Sequence, residues 1–203
     1  AQAYITTDKN ANQITTFHPG AMQFSHEVKI PHDQSITLGL ISPDGRDGMI
    51  EHTKQLIEMN VPYIFDPGQG MPMFNKDELN FFTENASWIV MNDYEFKMYN
   101  EMTNISSKDI TSKNKILVVT NGNKGSTIFT NNSELHIPTP KVENPKDPTG
   151  CGDAYRAGII YGINNKMDLT KIGELSSALG ALKVKSFGTQ NHLFGDSIKK
   201  LLQ

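Results

Sequence analysis

The segment from Asp147 to Gly158 combines small residues, an acidic side chain and the start of an apolar helix. It reads Asp-Pro-Thr-Gly-Cys-Gly-Asp-Ala-Tyr-Arg-Ala-Gly. Pro148 favours a turn, and Gly150 and Gly152 let the backbone approach a ligand closely. The first N–H groups of a helix lack partners within the helix, and the helix dipole favours negative charge there. These residues therefore predict a site for an anion such as phosphate.

Two polar side chains follow a short apolar strand predicted at 87–92. Asn92 and Glu95 have the spacing of a capping box, in which each side chain binds the backbone amide of the other residue. The same oxygen-rich pair suits the water shell of Mg²⁺, an ion that keeps several waters and needs few direct protein ligands. The two interpretations are compatible with each other.

A third polar segment, Thr120 to Gly125, follows the strand predicted at 115–120 and reads Thr-Asn-Gly-Asn-Lys-Gly. Asn-Gly is a common turn pair, so a plain connection between two strands would explain it. Its amides, its hydroxyl and the nearby Lys124 also suit a nucleotide phosphate. The segment taken alone leaves both interpretations open.

Alternating strands and helices must position these three segments. Short apolar strands are predicted at 35–41, 61–66, 87–92 and 115–120, and helices at 48–60, 75–85, 93–104, 152–164, 169–185 and 195–202. Hairpins are predicted at 3–7 with 13–17 and at 126–130 with 134–137. The alternation indicates an α/β fold with a largely parallel sheet, in which ligands bind beyond the carboxyl ends of the strands.

Composition limits the classes of protein to which the chain can belong. It has 203 residues, 37% of them hydrophobic, and a formal net charge of -3. This is enough apolar material for the core of one large domain. An acidic balance without a cluster of Lys and Arg predicts no nucleic-acid partner and no membrane-surface partner. The single cysteine, Cys151, excludes an internal disulfide and predicts a cytoplasmic protein.

Three other chemistries fit the chain less well. The segment around Gly150 lacks the third glycine of a dinucleotide-binding loop, which would stand at Tyr155, and the chain has no Walker A sequence. Six scattered histidines lack the spacing of a zinc site. A helix N-terminus lowers the pKa of a thiol, which favours Cys151 as a nucleophile, but the sequence identifies no histidine partner for it.

The order of the three polar segments resembles one known family. N-x-x-E at Asn92, T-x-G-x-x-G at Thr120 and D-P-T-G-C-G-D at Asp147 are similar to the successive signatures of the ribokinase-like (PfkB) carbohydrate and nucleoside kinases. The last signature departs only at Cys151, where the family usually places Ala, Gly or Ser. The resemblance implies a three-layer α/β/α fold. Its central sheet is mostly parallel, with an antiparallel edge hairpin and the remnant of a β lid.

The resemblance also implies roles for the matching residues. Asp153 corresponds to the general base that takes the proton of the acceptor hydroxyl as it attacks the γ-phosphate of ATP, and the anion hole corresponds to Gly150, Cys151 and Gly152. The nucleotide-phosphate loop corresponds to Thr120, Gly122 and Gly125. Asn92 and Glu95 correspond to the residues that hold hydrated Mg²⁺. Asp147 and Thr149 correspond to a site for a monovalent cation such as K⁺. Residues 188–192 would lie near adenine.

The resemblance covers the C-terminal two-thirds of a family member. Residues 1–30 correspond to the lid-side hairpin and its return to the core, and 31–203 to the ATP-binding and catalytic domain. The part of the family that supplies much of the acceptor pocket is absent, so we expect these 203 residues alone to have little activity. The expected partners are ATP and a small-molecule acceptor, and a homodimer is compatible with the resemblance.

The acceptor is predicted from finer detail. Segments 17–22, 66–69 and 152–158 look more like prokaryotic adenosine kinases and broad-specificity nucleoside kinases than like ribokinase or fructokinase. The leading hypothesis is transfer of phosphate to the 5'-hydroxyl of a nucleoside such as adenosine. A sugar kinase of the same family, acting on ribose or fructose, is the alternative. A nucleotide-binding module without catalysis is a further alternative, but it would have no need for the carboxylate of Asp153.

Overall fold

A computed structural model describes residues 1–8, 13–33 and 35–192. Contacts divide the chain into two compact units, residues 1–117 and 118–203. The tip of the first predicted hairpin, residues 9–12, and the helix predicted at 195–202 lie outside the described residues. In the described part of the chain, no helix has both the length and the apolar run needed to cross a membrane.

The first unit begins with the predicted antiparallel hairpin, formed by strands β1 (Gln2–Thr7) and β2 (Gln13–His18). The strands and helices that follow are β3 (Gly39–Ile41), α1 (Arg46–Glu58), β4 (Tyr63–Phe65), α2 (Lys76–Asn85), β5 (Trp88–Asn92), α3 (Asp93–Thr103) and α4 (Ser107–Thr111). Two 3₁₀ segments that the sequence did not predict occupy Gly20–Glu27 and Gly68–Met73. Strands β3 and β5 both pair with β4 in parallel.

The core of the first unit explains why its strands are short apolar runs. All three residues of β4 are buried, as expected for a parallel strand covered on both faces. The ring of Phe65 stacks on that of Phe82 at 4.7 Å between centroids. The hydroxyl of Tyr63 donates a hydrogen bond of 2.6 Å to the carbonyl of Phe82, and burial raises the pKa of this tyrosine.

The boundary between the two units falls within strand β6 (Ile116–Thr120), and the second unit begins at Val118. Its elements are β7 (Ser126–Phe129), β8 (Glu134–Ile137), α5 (Cys151–Asn164) and α6 (Leu169–Lys183). Helices α5 and α6 pack with their backbones close together at Gly158, which has no side chain. A Cβ atom there would lie only 2.6 Å from the Cα atom of Ser176. This close contact fixes the helix that begins at Cys151 against its neighbour.

The sheet has the predicted character. Six strands are ordered β3-β4-β5-β6-β7-β8, and the last two form an antiparallel hairpin at the edge. The strand predicted at 35–41 is shorter than expected and starts at Gly39, because its partner β4 offers only Tyr63–Phe65 for pairing. The fold is therefore the mostly parallel α/β arrangement predicted from the sequence.

Candidate active site

The start of α5 has the backbone geometry of an anion site. Gly150 is the N-cap residue and has a left-handed conformation with φ of 86°. A side chain there would also press on Thr189, whose Cα, Cβ and carbonyl oxygen would each lie 3.2 Å from a Cβ atom. The amide of Ala154 donates to the carbonyl of Gly150 at 3.0 Å and begins the helical hydrogen bonding. The amides of Gly152 and Asp153 precede that bond, where helices bind anions.

Asp153, the predicted base, is open to solvent but has a partner. Its side chain is 71% exposed, and its Oδ1 atom accepts a hydrogen bond of 2.5 Å from the guanidinium of Arg156, whose side chain is only 18% exposed. A Cβ atom on Gly152 would lie 3.2 Å from Nη1 of Arg156. The sequence signature that ends at Asp153 does not include Arg156, so this pairing was not predicted.

Asp147 links the segment before α5 to the turn after α6. Its Oδ1 atom accepts a hydrogen bond from the amide of Thr149, and its Oδ2 atom accepts one from the amide of Gly188, both at 2.9 Å. The Thr149 amide and hydroxyl hold the pKa of Asp147 below its ordinary value, and the amide of Gly188 and the nearby Lys183 add to this effect. The carboxylate is therefore a fixed structural anion.

The Thr120 segment forms a closed loop. The amide of Asn121 donates to the carbonyl of Gly125 at 2.7 Å, and the hydroxyl of Thr139 donates to the carbonyl of Gly122 at 2.9 Å. Gly125 has φ of 97°, and a Cβ atom there would collide with the carbonyl oxygen of Ile137. The last glycine of the pattern T-x-G-x-x-G is therefore required by the backbone, because a larger residue would neither adopt this φ easily nor fit beside Ile137.

A buried hydrogen bond ties this loop to α5. Ser126, the residue after the loop, and Tyr155, two residues after Asp153, have their hydroxyl oxygens 2.7 Å apart. Both residues are buried, and burial raises the pKa of Tyr155. The second unit thus connects the loop that begins at Thr120 to the helix that begins at Cys151.

Asn92 and Glu95 lie in the first unit and form the predicted capping box. The amide of Glu95 donates to Oδ1 of Asn92 at 2.7 Å, and the amide of Asn92 donates to Oε2 of Glu95 at 2.8 Å. Both residues are partly exposed. Within the described ranges, no group of three or more His, Cys, Asp or Glu side chains is arranged to hold a metal ion. One carboxylate and one amide suit an ion that keeps most of its waters.

Cys151 is a poor candidate for a nucleophile. Its amide donates to the carbonyl of Pro148 at 3.0 Å, so the residue is part of the turn before the helix. Burial raises the pKa of its thiol, while Lys183 acts in the opposite direction. Because the pKa of the thiol is raised, the thiol is largely protonated at neutral pH.

Comparison with known proteins identifies the family. The model of the pfkB family of carbohydrate kinases matches residues 1–194. The chain belongs to this pfkB family. The nucleoside kinase of Burkholderia thailandensis in complex with inosine is 42% identical, with a TM-score of 0.93 over 99% of this chain and 66% of that one. The same enzyme in complex with ADP-inosine is matched with a TM-score of 0.92.

A second pfkB relative is the nucleoside kinase of Methanocaldococcus jannaschii. It is 33% identical over 192 residues, which are 95% of this chain and 63% of that protein. The crystal structure of the nucleoside kinase from this organism superposes with a TM-score of 0.88. The chain therefore spans slightly less than two thirds of the length of these pfkB relatives.

Each unit holds part of the predicted pfkB site. In the second unit, hydrogen bonds connect the segment of Asp147 and Thr149, the start of α5 and the Thr120 loop. In the first unit, Asn92 and Glu95 bind each other. The sequence interpretation missed two charged side chains, Arg156 and Lys183. Arg156 lies three residues after Asp153, a spacing that brings two side chains together on a helix and could have revealed the pair. Lys183 contacts a residue 36 positions away, which no motif records.

Proposed function

We propose that this protein uses ATP to phosphorylate the 5'-hydroxyl of a nucleoside. The observation that carries the proposal is the 42% identity, over 99% of the chain, to a nucleoside kinase solved with inosine and with ADP-inosine. Membership of the pfkB family supports phosphate transfer to a hydroxyl group. A purine nucleoside such as inosine or adenosine is the acceptor that this similarity favours.

Asp153 is the proposed general base. Its exposed carboxylate takes the proton of the 5'-hydroxyl while the hydroxyl oxygen forms a bond to the γ-phosphorus. The bond from that phosphorus to the oxygen bridging to the β-phosphate breaks, and ADP leaves. Such a transfer needs positioning and charge stabilisation more than covalent help from the protein. The amides at the start of α5, from Gly150 through Cys151 and Gly152 to Asp153, are the proposed donors to the transferred group.

The nucleotide and its metal are assigned to two further segments. The proposed phosphate loop comprises Thr120, Gly122 and Gly125, whose closed backbone gives it a fixed shape. Asn92 and Glu95 are the proposed holders of hydrated Mg²⁺, and the fit of their oxygens to such an ion supports this assignment. When bound, the metal supplies positive charge against the phosphate oxygens.

Several expectations stay predictions. They are the division into a lid-side hairpin at 1–30 and a catalytic domain at 31–203, a cytoplasmic location, a homodimer and the absence of nucleic-acid and membrane partners. A monovalent cation at Asp147 and Thr149 is also a prediction, but the buried ammonium of Lys183 already contacts Asp147. The position of residues 188–192 near adenine also stays a prediction.

A substrate screen tests the proposed function. The complete gene product is assayed for ADP release with Mg²⁺, ATP and one acceptor at a time, chosen from adenosine, inosine, cytidine, ribose and fructose. We expect kcat/KM to be highest for a purine nucleoside, with the product phosphorylated at the 5' position. Faster turnover of ribose or fructose would instead identify a sugar kinase. Binding of ADP without turnover of any acceptor would identify a module without catalysis.

A further inference from the structure

Lys183, the last residue of α6, has a fully buried side chain at the start of α5. Its side chain is 0% exposed. Its Nζ atom donates to the carbonyl oxygen of Asp147 at 2.7 Å and to that of Ser186 at 3.2 Å, and it lies 3.8 Å from Oδ2 of Asp147. One positive charge is therefore surrounded by two carbonyl oxygens and one carboxylate.

The acceptors around Nζ of Lys183 suit a positively charged group. Burying an ammonium ion is costly unless anions and hydrogen-bond acceptors compensate for the lost water. The carboxylate of Asp147 supplies the opposite charge, and the end of α6 adds the favourable end of the helix dipole. A neutral side chain of the same length would leave the Asp147 carbonyl without this donor, so Lys183 has a role that packing alone does not require.

The contacts of Lys183 spread to both backbone segments beside the anion site. Asp147, which Lys183 contacts, binds the amides of Thr149 and Gly188. The carbonyl of Val184, the next residue, accepts hydrogen bonds from the amides of Lys146 at 2.7 Å and Asp147 at 3.2 Å. Lys183 and the residue after it therefore contact the segment that leads into Gly150, and Lys183 also contacts the turn that follows α6.

We propose that Lys183 is the internal cation of the phosphate-binding segment and takes the place of a bound monovalent ion. Asp147 does not fit the predicted K⁺ site, because the Lys183 ammonium is already within hydrogen-bonding distance of its carbonyl, and a second cation there would be repelled. Lys183 is thus a positioning residue for the anion hole of the proposed kinase, and this inference depends on that proposed function. Turnover without added monovalent cations is the direct consequence.

Ion dependence in the wild-type protein gives the first test. The complete gene product is assayed with ATP and its best acceptor in KCl, NaCl or tetramethylammonium chloride at constant ionic strength. We expect kcat, the Kd for ADP and Tm to be the same in all three salts. Stimulation of kcat by KCl of tenfold or more would overturn the proposal. Absence of turnover with every acceptor would contradict the proposed function instead.

Substitution of Lys183 gives the second test, with Lys185 as the control because it is an exposed lysine two residues further along. We expect Lys183→Met to lower kcat by about 100-fold through misplacement of the anion hole, with a smaller change in the acceptor KM. Lys185→Met should match wild type. In Lys183→Ala, n-propylammonium or K⁺ should restore part of kcat and tighten ADP binding, effects that a merely structural role would not produce.

A folded Lys183→Met variant with kcat within twofold of wild type would overturn the inference. So would a Lys183→Ala variant that folds but does not respond to any added cation. If Lys183→Met fails to fold, as judged by circular dichroism, Lys183→Arg replaces it. This variant keeps the charge and should retain a larger share of kcat than Lys183→Ala without added cations, and the opposite order would contradict the proposal.

Discussion

The hydroxyl oxygens of Ser126 and Tyr155 lie 2.7 Å apart inside the second unit, with both residues buried. Ser126 follows the last glycine of the Thr120 loop, and Tyr155 lies in the second turn of α5. This single bond joins the two segments that the sequence connects with phosphate binding. A change in either hydroxyl should therefore affect stability and nucleotide binding together.

Removal of the tyrosine hydroxyl tests this connection. Tyr155→Phe leaves the buried hydroxyl of Ser126 without its partner, so we expect a loss of about 1–3 kcal/mol in the free energy of unfolding and weaker ADP binding. Urea denaturation and calorimetry measure the two effects. Tyr161→Phe, on an exposed tyrosine of the same helix, is the control. In Ser126→Ala/Tyr155→Phe, the combined loss should be smaller than the sum of the single losses.

Loss of the carboxylate at Asp153 should abolish most catalysis. Because a general base contributes about 10² to 10⁴ in rate, we expect Asp153→Asn to lower kcat by that factor while ADP binding stays close to wild type. Single-turnover kinetics and calorimetry provide the measurements. Asp77→Asn removes an exposed acid from the first turn of α2 and should leave the rate unchanged. A rate for Asp153→Asn within tenfold of wild type would reject the mechanism.

Two glycines of the Thr120 loop should differ in their tolerance of alanine. At Gly125 a methyl group meets both a positive φ and the carbonyl of Ile137, whereas at Gly122 the φ is also positive but no atom lies within 4 Å. We expect Gly122→Ala to cost about 1–2 kcal/mol in the free energy of unfolding. Gly125→Ala should cost clearly more. Equal Tm values for the two variants would show that the Ile137 contact does not matter.

The stabilising effect of Asp147 should depend on pH. Its pKa is lowered in the folded protein, chiefly by the Thr149 amide, so the unfolded chain takes up the proton first as pH falls. The contribution is complete at neutral pH and is lost below about pH 4. We expect Asp147→Asn to be less stable than wild type at pH 7 by about 1–3 kcal/mol. The difference in urea midpoints should shrink at pH 3, and a constant difference would contradict this assignment.

The thiol of Cys151 should react slowly. Because burial raises its pKa, we expect iodoacetamide to modify it more slowly at pH 7.5 than free cysteine, with the rate rising steeply toward pH 10. Mass spectrometry of the peptide that contains Cys151 follows the reaction. Bound ADP should slow it further. Cys151→Ala should retain kinase activity, and loss of turnover in this variant would revive the nucleophile hypothesis.

Local signals were readable from the sequence because they depend on few residues. The capping box at Asn92 and Glu95 needs only a spacing of three, and both of its hydrogen bonds are present. Gly150 has the left-handed backbone conformation that only a few residue types adopt easily. Strand ends were less accurate, because the length of β3 is set by the three residues that its partner offers.

Long-range contacts could not be predicted from the same patterns. A lysine in the last turn of α6 suggests an interaction with the helix dipole at the surface, whereas Lys183 is buried because the segments at Asp147 and Ser186 close over it. The pairing of Tyr155 with Ser126 depends on residues 29 positions apart. Neither contact has a spacing that a motif records.

The contact between Gly158 and Ser176 restricts how the second unit can change during evolution. Gly158 lies about one and a half turns beyond Asp153 on α5. Any side chain there would push the backbone of Ser176 away and move the helix that carries Asp153. On this face of α5 hydrogen is the only substituent that fits, so position 158 should tolerate as little change as Asp153, the proposed base.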